Sequence, residues 1–153
     1  MEPPKAMSEW GWKYHHIGIP TDKVLEGERY IPQLKFYVSG FDTSPYGIEW
    51  MRFEADSPVH ELVKKVPHIA FEVDDLDFEL ESHDLHIIAK PNPPSEGVRV
   101  AMIEHNGAPI ELICFNKKAC PDQDNAAVNR FYFEFLGLSQ MLWFPYDCNE
   151  KSK

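Results

Sequence analysis

From Trp12 to Ile19 apolar and polar residues alternate imperfectly, with aromatic and branched side chains in excess. That is a strand pattern, and Pro20 closes it. Residues 22–31 fit a short helix, weakened by Gly27 and bounded by Pro32. Leu34–Val38 and Ile48–Phe53 read as strands separated by the turn-rich "SGFDTSPYG", and "EADSP" is a turn leading into a short helix from Val59 to Lys65. The pattern then begins again. Ile69–Val73 is a strand, Asp75–His83 a short helix with acidic residues in its first turn, and Leu85–Ala89 a strand. "KPNPPSEG" reads as a loop, Val98–Ile103 as a strand, His105-Asn106-Gly107 as a hairpin turn, and Pro109–Phe115 as the last strand.

The ends of the chain differ from this body. Residues 1–9 are polar, hold Pro3 and Pro4, and are expected to be a flexible tail. One domain of two modules follows over 10–116, the modules being about 10–56 and 66–116, and a C-terminal helical extension covers 117–153. Within that extension Ala127, Val128, Phe131, Phe135 and Leu138 recur at helical spacing after a potential cap at Asp124, with Gly137 near the end. The final "QMLWFPYDC" is aromatic, so we expect it to pack on the core or on a second subunit.

The two halves share more than their element order. The first carries His16-Ile17-Gly18-Ile19 and later Ile48-Glu49-Trp50-Met51-Arg52-Phe53. The second carries His68-Ile69-Ala70-Phe71 and later Ile110-Glu111-Leu112-Ile113-Cys114-Phe115. Alternation in a strand puts Glu49 on the face of Met51 and Phe53, and Glu111 on the face of Ile113 and Phe115. A carboxylate on an apolar face is costly unless it is paired or binds a metal. Taken singly, each of these residues reads as structural. Repeated in register, His16, Glu49, His68 and Glu111 form a two-histidine, two-glutamate set for a divalent ion such as zinc, nickel, cobalt, manganese or iron. His15 competes with His16 but is expected on the opposite sheet face, one residue out of the repeat. His60, His83, His86 and His105 lack the repeat and read as surface residues; Asp74, Asp75 and Asp77 read as a solvated helix start.

Composition narrows the partners. A net charge of −10 and a pI near 5.1 argue against nucleic acid and anionic membranes as partners and leave room for a local basic pocket that takes an anionic small-molecule substrate. Three cysteines without a CxxC pair, and a start without signal-peptide regions, point to a reducing, cytoplasmic setting.

The segments "HHIGIPT", "GIEWMRFEADSP", "HIAFEVDDLD" and "GVRVAMIEHNGAPIELICF" together resemble the vicinal oxygen chelate superfamily over residues 12–116. That superfamily includes glyoxalase I, methylmalonyl-CoA epimerase, extradiol dioxygenases, and fosfomycin and bleomycin resistance proteins. The resemblance implies an α+β fold in which two βαβββ modules close a cup-shaped mixed sheet around a metal. Its first-strand histidines fall on His16 and His68, and its late-strand acids on Glu49 and Glu111. It implies a metal-dependent lyase or isomerase of the glyoxalase or epimerase type, acting as a homodimer, with Glu111 first and Glu49 second as the proton shuttle. Three other readings stay open. One is a metal-free binding protein of the bleomycin-resistance kind, with an aromatic cup drawn from Trp50, Phe71 and Phe115. Another is an Fe(II) dioxygenase using His16, His68 and Glu111. The third is a structural or regulatory dimer that keeps the fold alone. For an anionic cofactor group on the substrate, Arg52, Arg99, Lys90 and Lys35 are the available cations.

The chain departs from the superfamily pattern in its first module. "TDKVLEGERYIPQLKFYVSG" is short and lacks the expected helix ending, whereas "NRFYFEFLGL" at 129–138 resembles it. We therefore expect the C-terminal helix to cover the sheet where the first helix is reduced.

Overall fold

The computed structural model describes residues 2–115. The elements are α1 (Lys5–Ser8), β1 (Lys13–Pro20), β2 (Arg29–Ile31), β3 (Phe36–Ser39), β4 (Ile48–Phe53), α2 (Glu61–Lys65), β5 (His68–Glu72), α3 (Leu76–Ser82), β6 (His86–Ser95), β7 (Val98–His105) and β8 (Ala108–Phe115). Their strands form one eight-stranded sheet in the order β2-β3-β4-β1-β5-β8-β7-β6. It is a curled, half-barrel mixed sheet with few helices, an α+β cup.

The order is a palindrome of two four-stranded modules. In each, the first strand runs parallel to the last: β1 to β4 and β5 to β8. The modules join through antiparallel pairing of β1 with β5. Here Ile17 lies opposite Ile69, with Gly18 opposite His68 and His16 opposite Ala70. A pseudo-twofold axis therefore passes between Ile17 and Ile69. The parallel pairs keep the same register, Ile17 with Ile48 and Gly18 with Glu49, then Ile69 with Ile110 and Ala70 with Glu111. The sequence repeat is thus a repeat in space.

Local chemistry explains the better-defined elements. Asp75 caps α3, accepting a hydrogen bond from the Phe78 backbone N–H at 3.1 Å. Asn106 and Gly107 both take positive φ, 52° and 81°, as the two-residue turn joining β7 to β8 requires. Leu76 and Leu80 of α3 pack on the outer face of module two, where Trp12, Phe71, Val73, Ala101, Ile103, Leu112 and Cys114 form the main core. On the cup face Ile31, Phe36, Val38 and Met51 cluster in module one, and Ala70, Val98 and Ile113 in module two. α1 lies within the segment expected as a tail, and its Ala6 rests against the main core.

Two expectations for local structure need correcting. Residues 22–28 form no helix: Gly27 takes φ +74°, the Glu28 N–H bonds back to the Leu25 carbonyl, and 29–31 join the sheet as β2. The first module is accordingly βββ-rich without the helix of its partner. The segment "KPNPPS" is not a loop but continues β6 to Ser95, with three register irregularities. β6 is an edge strand, where proline removes no ladder bond that the sheet needs. The expected helix over 124–138 and the aromatic terminus lie outside the described residues.

Candidate metal centre

The cup face of the four central strands carries two diagonal rows. Glu49, Gly18 and His68 stand side by side on β4, β1 and β5, and Glu111, Ala70 and His16 on β8, β5 and β1. Three side chains from these rows converge. His16 Nε2 and His68 Nε2 are 3.3 Å apart, and Glu111 Oε2 lies 3.4 Å from the first and 3.2 Å from the second. The triangle is almost equilateral. Three atoms at about 2.1 Å from one ion, set at tetrahedral angles, stand about 3.4 Å apart. The spacing of the donor set suits a divalent ion, and it is the one cluster of this kind among the described residues.

The protonation states agree with the geometry. His16 is 6% exposed, and burial first, then the neighbouring histidines, push its imidazole down to about 4 against the pull of Glu111. It is neutral at pH 7, as a ligand must be. Burial acts to raise the Glu111 carboxyl, but the hydrogen bond from His68 and the fields of three histidines hold it below the ordinary carboxylate range. Glu111 is therefore ionised.

Glu49 stands apart from the other three. It is 8% exposed, yet its carboxylate is not part of the cluster that His16, His68 and Glu111 form. Burial first, then the charge of Glu111, raise it to about 7, against the opposing fields of His68 and Arg29. The structure thus brings three of the four expected ligands together and leaves the fourth as a buried carboxyl on the neighbouring strand.

The asymmetry begins in β1. The β1–β5 register shifts between Tyr14 and His16, so His15 is the extra residue of a β-bulge. Contrary to expectation, His15 does not point to the opposite face: its Nδ1 lies 2.8 Å from Nδ1 of His16. Strict alternation fails at a bulge, which is why the sequence pattern misplaced it. Gly47 makes room for the bulge; a Cβ there would stand 2.8 Å from the His15 carbonyl oxygen, and the Gly47 carbonyl accepts from the Ile17 N–H at 2.9 Å. The His15 ring stacks on Phe41 at 5.4 Å and 11°, with Phe115 at 5.9 Å on a tilted approach. Sequence reasoning set His15 aside as a competitor on the opposite face and missed Phe41, because nothing in the residue types at 14–16 marks the bulge.

Other candidates fall elsewhere. Phe71 belongs to the outer core beside Trp12, and Trp50, next in the strand to Glu49, is on the outer face and 38% exposed. The expected aromatic cup keeps Phe115 alone of its three members. Arg52 pairs with Glu28 and lies over the Tyr37 ring, Arg99 pairs with Asp77, and Lys35 with Asp56. His83 is not a free surface residue: it bonds to Glu79 at 3.0 Å and stacks on Trp10 at 4.0 Å. No helix among the described residues is long and apolar enough to cross a membrane.

The fold has known relatives. A hypothetical protein from Bacillus halodurans C-125 superposes with a TM-score of 0.54 at 20% identity, covering 72% of this chain and 99% of the other. Methylmalonyl-CoA epimerase from Mycobacterium tuberculosis superposes with a TM-score of 0.50 at 19% identity, covering 69% of this chain and 89% of the other. The chain has a glyoxalase-like cup fold. No protein-family model matches the sequence, and no curated protein matches it. At such identities the glyoxalase-like likeness is one of fold, and the chemistry has to be argued from the site.

Proposed function

We propose that this chain is a metal-dependent isomerase or lyase of the glyoxalase and epimerase type, removing a proton next to a carbonyl or a pair of vicinal oxygens. The observation that carries this reading is the triangle of His16, His68 and Glu111 beside a separate buried carboxyl, Glu49. A divalent ion held by the three would supply Lewis-acid polarisation of the substrate oxygens. The two glutamates divide the remaining work because their surroundings push their proton affinities apart. Glu111, held ionised by the histidines, is a ligand. Glu49, raised to about 7, sits where a general base gains and loses a proton near neutrality, so it takes the substrate proton and returns it. Phe41 and Phe115 pack against His15 on the flank of the site. The shared fold with a methylmalonyl-CoA epimerase supports the isomerase arm.

The test is exchange of solvent deuterium into two probes, a 2-methyl-branched acyl thioester and the hemithioacetal of an α-ketoaldehyde with a thiol. Metal-dependent incorporation into either, lost in Glu49→Gln, is the expected result. No exchange from either probe in metal-loaded protein overturns the reading.

One observation favours a second reading. Two histidines and one carboxylate with Glu49 excluded also match the facial triad of Fe(II) oxygenases. Oxygen uptake with a catechol under Fe(II), without deuterium exchange, would select it.

A further inference from the structure

We propose that His15 is a positioning residue that fixes the tautomer and ring plane of His16. The inference rests on the reading of His16 as a ligand through Nε2, and extends it to a residue outside the triangle.

A contact of 2.8 Å between two Nδ1 atoms needs one proton between them. As a metal ligand through Nε2, which faces Glu111 and His68, His16 keeps its lone pair there and its proton on Nδ1. His16 Nδ1–H then donates to Nδ1 of His15, which accepts and keeps its own proton on Nε2. Ligand histidines usually donate this second N–H to a carboxylate or carbonyl, which sets their orientation. Here an imidazole fills the role, delivered by the bulge that pulls His15 out of alternation. The acceptor is itself held still: Phe41 stacks on its ring, Phe115 flanks it, and Gly47 admits the bulged backbone.

His68 shows what the absence of such a partner looks like. Its Nδ1 is buried without a hydrogen-bond partner, and its ring is held by packing over Gly18. Of the two histidines in the triangle, His16 is thus the one with an orienting bond, and His15 supplies it.

The test compares wild type, His15→Phe, which keeps a stacking ring and loses the acceptor, and His15→Asn, which returns an acceptor at the position of Nδ1. His15→Leu serves in place of His15→Phe if the latter does not fold. Two readouts are taken on the full chain. The first is the His16 tautomer in metal-free protein, from ¹⁵N-histidine NMR. Nδ1–H is expected in wild type and His15→Asn, and a shift towards Nε2–H in His15→Phe. The second is affinity for Co²⁺ by visible absorption, expected to weaken about 10- to 100-fold in His15→Phe and to recover in His15→Asn. An unchanged His16 tautomer in His15→Phe overturns the proposal. So does equal loss of cobalt affinity in both variants. If wild type takes no cobalt, the metal reading fails, while the tautomer comparison still decides the role of His15.

Discussion

The imidazole of His68 lies directly over Gly18: a Cβ built on the glycine would stand 2.0 Å from Cε1 and 2.6 Å from Nε2 of the ring. Gly18 is the residue opposite His68 in the β1–β5 ladder, and its symmetry mate Ala70 stands opposite His16. Replacing Gly18 with alanine must drive the His68 ring off its place in the triangle. We expect Gly18→Ala to weaken divalent-metal binding at least tenfold and to destabilise the fold by about 1–3 kcal/mol through overpacking. Cobalt titration and thermal denaturation of the variant check both.

The two glutamates are expected to fail in different ways. Glu49→Gln should keep the metal and lose proton exchange by about two to four orders of magnitude, seen in kcat more than in KM. Glu111→Gln should lose the metal itself, because one corner of the triangle goes with it. Metal analysis beside deuterium-exchange rates separates the two outcomes.

Metal-free protein should show a distinctive dependence of stability on pH. Glu49 moves from 4.5 to about 7 because it is buried and near Glu111. The folded form then holds a proton that the unfolded chain releases, so this group's contribution falls as pH rises from 4.5 to about 7. His16 moves from 6.5 to about 4, again chiefly through burial. The unfolded chain then takes up a proton that the folded form refuses, so that contribution rises between about 4 and 6.5. The two oppose each other through mildly acidic pH, and the Glu49 loss alone persists close to pH 7. Glu49→Gln should therefore gain stability on wild type as pH rises through that window. Thermal melts of chelator-treated proteins from about pH 5 to about pH 8 test this; parallel curves would show that Glu49 is not buried as a proton-holding acid.

Asp75→Ala serves as a control on the scaffold. It removes the cap of α3 and should cost about 1 kcal/mol of stability. The helix packs on the outer face, so metal affinity should not change. Denaturant unfolding and cobalt titration together check the separation.

Much of this arrangement is legible in the chain because the repeat preserves register. His16 and His68, like Glu49 and Glu111, occupy matching positions in the paired strands, and period-two alternation assigns each a face. Alternation also separates Trp50 from Glu49 and Phe71 from Ala70, so neither aromatic side chain lines the cup. What the pattern could not show is where alternation breaks. One extra residue at His15 turns its ring to the face of His16, and nothing in the residue types at 14–16 marks the bulge. Nor could local propensity foresee that 91–94, with three prolines, run on as an edge strand. The edge position that permits it is a property of the whole sheet. Residues 22–28 failed as a helix for a more local reason, the positive φ at Gly27.

The central claim is a three-ligand metal site with Glu49 beside it, and metal content tests it most directly. Wild type, His68→Gln, Glu111→Gln and Glu49→Gln would be purified without chelator, soaked in turn with Zn²⁺, Ni²⁺, Co²⁺, Mn²⁺ and Fe²⁺, and desalted before elemental analysis. The account predicts close to one ion per chain in wild type and Glu49→Gln, and none in the other two. No metal in wild type under any condition would contradict the site, and loss of metal in Glu49→Gln would contradict its separation from the ligands.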